Sequence, residues 1–193
     1  EGLVRMGVGR LTVVDGDVFA DSNLNRQFGC DLNTLGRPKA TVLAERAAAV
    51  NPAVLVTPCV CWLTAENAGE LLAGADVVVD ALDSLPARIM LQRAAQALDV
   101  PLVHGAIAGN TGQVMTILPG DAGLFALYCE GAALPQQGIE RQLGNPAATP
   151  MLVAAWQLHE VVKLLCDSGS LLRNRLLIID AEFGELTEIH LAP

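Results

Sequence analysis

Residues 76–83 read DVVVDALD. Three consecutive valines between carboxylates form a continuous apolar run, as in a strand buried on both faces of a parallel sheet; a half-exposed strand would alternate apolar and polar residues. Before it, TAENAGELLAGA (64–75) predicts a short helix with Thr64 as its cap. After it, LPARIMLQRAAQALDV (85–100) has helical spacing. A buried strand between two helices is the repeating unit of an α/β fold.

The alternation extends in both directions. LTVVDGD (11–17) predicts a strand that ends in acidic turn residues, and PKATVLAERAAAVNP (38–52) a helix between Pro38 and the Asn51-Pro52 stop. VLVTPCV (54–60) predicts a strand whose Pro58 places it at an edge. PLVHGAI (101–107) and GQVMTIL (112–118) are two further strands, and residues 147–169 form a long helix ended by Gly169. RLLIIDA (175–181) and ELTEIHLA (185–192) close the chain as a hairpin through EFG. The expected fold is α/β, Rossmann-like and doubly wound, with a mostly parallel mixed sheet, helices on both faces and an antiparallel C-terminal hairpin.

The chain opens EGLVRMGVGRLTVVD, the tail of a helix running into a strand. A parallel nucleotide-binding sheet begins with a strand and a glycine-rich turn, because the helix that follows receives the phosphates on its N-terminus. That piece is expected to precede residue 1, and residues 1–193 to form a single domain. The irregular stretch 119–146, rich in Gly, Pro and Gln, is too long for a simple connection and is expected to be a long crossover loop.

The 193 residues are 52 % hydrophobic and 17 % charged, which excludes disorder and points to a buried subunit interface; a homodimer is expected. A net charge of −9 argues against a nucleic-acid-coating protein but leaves room for a small anionic ligand held by local cations. No leader and no membrane span are read, and five scattered cysteines suit reduced thiols in a cytoplasm.

Within that acidic chain, which has only two lysines, DSNLNRQFGCDLNTLGRPKA (21–40) gathers Arg26, Arg37 and Lys39 among Asn23, Asn25 and Gln27. Asp15 ends a strand at the carboxyl edge of a parallel sheet, where a carboxylate can accept both hydrogen bonds of a ribose diol. Arg26 as a planar fork and Lys39 as a point charge suit a polyphosphate. Asp83, at the end of a second strand, suits Mg2+ bridging phosphate oxygens.

VVDGDVFADSNLNRQF, then GRPKA, NP, VVVDALDS and GAIAGNTGQV, in that order, resemble the ThiF/MoeB/HesA family of ubiquitin-activating-like adenylyltransferases over essentially the whole chain. The resemblance implies MgATP-dependent adenylation of the C-terminal Gly-Gly carboxylate of a small ubiquitin-like sulfur-carrier protein, with release of pyrophosphate. It implies that Asp15 takes the ribose, that Asn23, Arg26 and Lys39 contact the triphosphate, that Gln27 orients the motif, and that Asp83 serves the metal. Arg26, Lys39 and Asp83 would then be the catalytic groups.

The chain departs from the family pattern in several places. Ser84 stands where the family has Asn; the second of two Cys-x-x-Cys pairs is absent, and ALYC offers only Cys129, so no zinc site is expected. Residues 130–150 contain no cysteine to accept an acyl group. Cys59 and Cys61 are expected to pack, and His104 to be a satisfied core or site-edge histidine. Gly105, Gly109 and Gly112 permit either tight turns or close approach of a carrier tail. Two alternatives stay open: a catalytically silent partner subunit of the same fold, and a nicotinamide-dependent dehydrogenase in which Asp15 also meets a ribose.

Overall fold

The computed structural model describes residues 1–128 and 144–191. It divides into two compact units, residues 1–67 and 68–193.

In the first unit a single helical turn, α1 (Gly2–Arg5), leads into β1 (Arg10–Val14), as the opening residues predict. After a long polar loop, α2 (Lys39–Val50) returns the chain to β2 (Leu55–Cys59), which pairs parallel with β1 from Arg10↔Leu55 to Val14↔Cys59. Val4, Ala47 and Val54 form the core of this β-α-β unit, with Leu11, Val50 and Val56 packed against them. Pro58 lies within β2, which among the described residues pairs only with β1 and so leaves an edge for a residue that cannot donate.

The second unit begins with α3 (Ala68–Leu72), shorter than predicted. The preceding residues form a capped turn instead: Thr64 N donates to Asn67 Oδ1 at 2.8 Å, and Asn67 N to Thr64 Oγ1 at 3.4 Å. The run at 76–83 contributes only β3 (Val78–Val79) to the sheet. Beyond Val79 the chain turns, because Asp80 Oδ1 takes the amide of Leu82 at 2.9 Å, and α4 (Leu85–Ala97) follows.

β4 (Leu102–Ala108) pairs parallel with β3, and β5 (Thr111–Ile117) pairs antiparallel with β4. β6 (Arg175–Asp180) and β7 (Glu185–His190) complete a five-stranded sheet in the order β3-β4-β5-β6-β7, antiparallel from β4 onward. The sheets are mixed as expected, but their antiparallel share extends well beyond the C-terminal hairpin. The physical reason lies in the connection between β4 and β5: Gly109 and Asn110 alone join them, whereas a parallel crossover needs a dozen residues or more. Gly109 supplies the positive φ, +57°, of a tight hairpin turn.

The long helix α5 (Ala148–Cys166) packs on β4 and β5, and Val153 and Trp156 join Val114, Leu177 and Ile179 in the core. It ends at Asp167, which takes the left-handed conformation two residues before the expected Gly169. A fully buried carboxylate, Glu160, ties the helix down: it accepts from Thr116 Oγ1 at 2.5 Å, Leu172 N at 2.8 Å and Lys163 Nζ at 2.5 Å. The loop expected over 119–146 falls mostly outside the described residues, as does Cys129. Its first residues are anchored, with Arg173 donating to the Asp121 carboxylate at 2.7 to 3.1 Å.

Candidate functional site

Asp15 follows the last residue of β1, and its amide continues the parallel ladder by donating to Cys59 O at 3.1 Å. One carboxylate oxygen, Oδ1, accepts the amide of Asp17 at 2.8 Å, a local turn that holds the side chain in place at the strand end. Asp17 in turn grips the start of α2. Its carbonyl accepts the Lys39 amide at 3.0 Å, and its Oδ2 lies 3.0 Å from Lys39 Nζ. Two of the expected site residues, Asp15 and Lys39, are thus brought together through a third that the sequence marked only as a turn former.

The loop between them is a built object. Val18 and Phe19 pair with residues 36–38 across its neck, through Phe19 N to Arg37 O at 3.0 Å, Gly36 N to Phe19 O at 2.8 Å and a Val18↔Pro38 bridge. Phe19, Cys30 and Val42, with Leu35, pin it to α2. At its tip a 3₁₀ turn, Asp21–Asn23, is closed by Asn23 Oδ1, which accepts the Ala20 amide at 3.0 Å. Asn23 is buried, so at least its carbonyl oxygen is committed to shaping the loop.

Arg26 is half-buried, and its Nη1 donates to Ser22 O at 2.7 Å and Asn25 Oδ1 at 3.0 Å. Among the described residues no carboxylate pairs with it. Gln27 closes the same turn through its backbone, its amide donating to Asn23 O at 2.9 Å. Arg37 belongs elsewhere, because its Nη2 donates to both oxygens of Glu45 on α2, at 2.6 and 2.8 Å.

Asp83 lies in the second unit, exposed, in the turn that leads from β3 into α4. That turn hangs on Asp80, which is fully buried. Its Oδ2 meets His104 Nδ1 at 2.7 Å and Arg88 Nη1 at 2.9 Å, and Arg88 also donates to Gly105 O. Gln113 Nε2 approaches His104 Nε2 at 3.1 Å, so with Nδ1–H facing Asp80 both ring nitrogens are satisfied. Gln157 Nε2 donates to Asp80 O at 2.8 Å. Burial is the largest single influence on the Asp80 carboxyl and pushes it up. His104, Arg88 and the Leu82 amide together outweigh it and hold the group below the ordinary carboxylate range.

Sequence reasoning did not identify Asp17 as the partner of Lys39, nor Arg88 as that of Asp80. Pairs 22 and eight residues apart leave no periodic trace. Gly105 and Gly112 lie within β4 and β5 and not in turns. A Cβ on Gly105 would lie 2.5 Å from the Gln157 amide, and one on Gly112 would collide with Val153 Cγ2, so both glycines admit α5 onto the sheet. Among the described residues no group of His, Cys, Asp and Glu is placed to hold a metal, and no helix is long and apolar enough to cross a membrane.

Strands whose carboxyl ends run into charged loops at the head of a helix are the arrangement of Rossmann-like α/β proteins. The crystal structure of E. coli MccB with MccA-N7isoASN has this same fold, with a TM-score of 0.84 at 17 % identity over 98 % of this chain and 59 % of that one. Within that class the chain belongs to the ThiF family, which it matches over residues 1–193. It is 39 % identical over 183 residues to the SAMP-activating enzyme E1 of Haloferax volcanii, covering 93 % of this chain and 66 % of that protein. It is 38 % identical over 197 residues to the sulfur carrier protein adenylyltransferase of Thermus thermophilus, covering 96 % of this chain and 72 % of that protein.

Proposed function

We propose that residues 1–193 act as one adenylation domain that uses MgATP to activate the C-terminal Gly-Gly carboxylate of a ubiquitin-like sulfur-carrier protein. The observation that carries this reading is the Asp15–Asp17–Lys39 linkage in a chain 38–39 % identical to a sulfur carrier protein adenylyltransferase and a SAMP-activating enzyme.

Lys39 supports a phosphate role because it is a buried cation whose one ion-pair partner among the described residues is half exposed, so an incoming anion can reach the pair. Arg26 supports it because its guanidinium is oriented by neutral oxygens and keeps its charge for a ligand. Asp15 would accept from the ribose, Asn23 and Gln27 would hold the loop that presents Arg26, and Asp83 would bind the metal. Bound Mg2+ would neutralise charge on the phosphate oxygens.

The chemistry needs no side-chain nucleophile. A carrier carboxylate oxygen attacks the α-phosphorus, the bond to the bridging oxygen breaks, and pyrophosphate leaves with that electron pair. The chain supplies alignment and positive charge. We further propose a cytoplasmic homodimer. Met151, Leu152 and Leu165 are exposed on α5 and suit burial against a second copy.

Isotope exchange between ATP and pyrophosphate tests the reading. Exchange is expected only when a carrier ending in Gly-Gly is present, and Arg26→Ala is expected to abolish it. Exchange that persists in that variant removes Arg26 from the site, and ATP binding without exchange favours a silent partner subunit.

A further inference from the structure

Trp62 has no part in the chemistry above, yet it lies against the same strand end as Asp15. A Cβ placed on Gly16 would fall 2.8 to 2.9 Å from Trp62 Cδ2, Cε2 and Cγ, so the indole covers the backbone of the residue next to Asp15. Only glycine permits so close an approach. Trp62 nevertheless remains 65 % exposed, a large cost for an aromatic that serves packing alone.

The backbone that carries the ring is also held in position. Asn67 Nδ2 donates to Trp62 O at 2.8 Å, and Asn67 is itself locked by its reciprocal bonds with Thr64 at 2.8 and 3.4 Å. Asp15 N to Cys59 O, at 3.1 Å, ties the end of β1 to the strand that leads into Trp62. An anchored, open aromatic beside a carboxylate suited to a ribose diol is what a nucleoside needs, because a base attached to that ribose carries a flat π-face.

We propose that the Trp62 indole is the platform on which the base of the nucleotide stacks, with the ribose directed to Asp15. The inference rests on the nucleotide-binding reading above and assigns its base subsite. Gly16 is required there because any side chain would displace the platform.

The test compares ligands with and without a base, in the full-length protein. In a Trp156→Phe background, where Trp62 is the remaining tryptophan of this chain, ATP should quench its fluorescence and inorganic tripolyphosphate should not. By calorimetry Trp62→Ala should weaken ATP binding roughly ten- to a hundred-fold, the range of base–aromatic stacking, and leave tripolyphosphate affinity unchanged. Trp62→Phe should recover most of the loss. Wild-type ATP affinity in Trp62→Ala overturns the platform while leaving nucleotide binding intact. Equal losses for ATP and tripolyphosphate also overturn it, as the mark of a packing residue. If the wild-type protein binds tripolyphosphate but not ATP, both readings fall. Should Trp62→Ala not fold, the quenching experiment and Trp62→Phe still decide.

Discussion

Lys39 and Asp17 hold each other twice: the ammonium lies 3.0 Å from Asp17 Oδ2, and the Lys39 amide donates to the Asp17 carbonyl at the same distance. The two ends of the pair differ in exposure. The Lys39 side chain is 11 % exposed and that of Asp17 51 %, so the cation is committed and the anion can be displaced. On the proposed function, a polyphosphate competes with this carboxylate for Lys39. Asp17→Asn removes the competitor while keeping the backbone bond, and is expected to tighten ATP binding several-fold at low salt, an advantage that shrinks as salt rises. Lys39→Met is expected to lose on the order of 2–4 kcal/mol of transition-state stabilisation. Calorimetry at two salt concentrations, with exchange rates for the Lys39 variant, checks both; weaker binding by Asp17→Asn would show that the carboxylate assists the ligand.

Asn23 separates shaping from contact. Its Oδ1 caps the turn that presents Arg26, and replacing such a cap by alanine costs about 1 kcal/mol. Asn23→Asp keeps the acceptor, so it should retain the loop and most of the stability while adding a negative charge near the proposed phosphates. Urea denaturation should therefore rank wild type and Asn23→Asp above Asn23→Ala, whereas ATP affinity should be poorest in Asn23→Asp. If both variants bind ATP like the wild type, the asparagine plays no part in the nucleotide site.

Asp80 sets an acid limit on the second unit. A carboxyl held below its ordinary value by His104 and Arg88 contributes stability that is fully present above the unfolded carboxylate pKa, about 3.9, and is lost as the pH falls through the lower folded value. The denaturation midpoint is expected to be flat with respect to this group near neutrality and to decline below about pH 4. Asp80→Asn should cost about 3–5 kcal/mol at neutral pH, the range for breaking a buried pair, and should reduce that acid dependence. Denaturant titrations of both proteins from neutral to acid pH measure the two effects together.

The sequence was most legible where a short-range pattern had one physical reading. The helix at Lys39–Val50 and the hairpin of β6 and β7 sit where punctuation and periodicity predict them. Asp15, Arg26 and Lys39 fall in ordered motifs, and the loop that joins them proved to be a packed structure. What stayed hidden depends on tertiary contact. Nothing near Asp80 announces a histidine 24 residues away, and the stretch 76–83 does not reveal that only Val78 and Val79 pair in the sheet. The antiparallel turn from β4 to β5 was legible in principle, since Gly109 and Asn110 leave no length for a crossover.

Gly112 and Val153 give the clearest case of a contact hidden from local pattern. Gly112 lies in β5, paired with Ile107 on one side and Ile179 on the other, and its missing side chain is the space that Val153 of α5 fills. Val153 is 4 % exposed in the core with Val114 and Ile179, so it has little room to yield. Gly112→Ala should therefore destabilise the protein by about 1–3 kcal/mol through overpacking. Val153→Ala alone should also destabilise it, by removing buried methyl groups. The double variant exchanges one methyl for two at the same place and should be more stable than the sum of the single losses predicts, with a coupling of at least about 0.5 kcal/mol. Urea titrations of the four proteins complete the cycle. Strict additivity would mean that the helix rests on the sheet through other residues and that Gly112 is there for some reason other than the approach of α5.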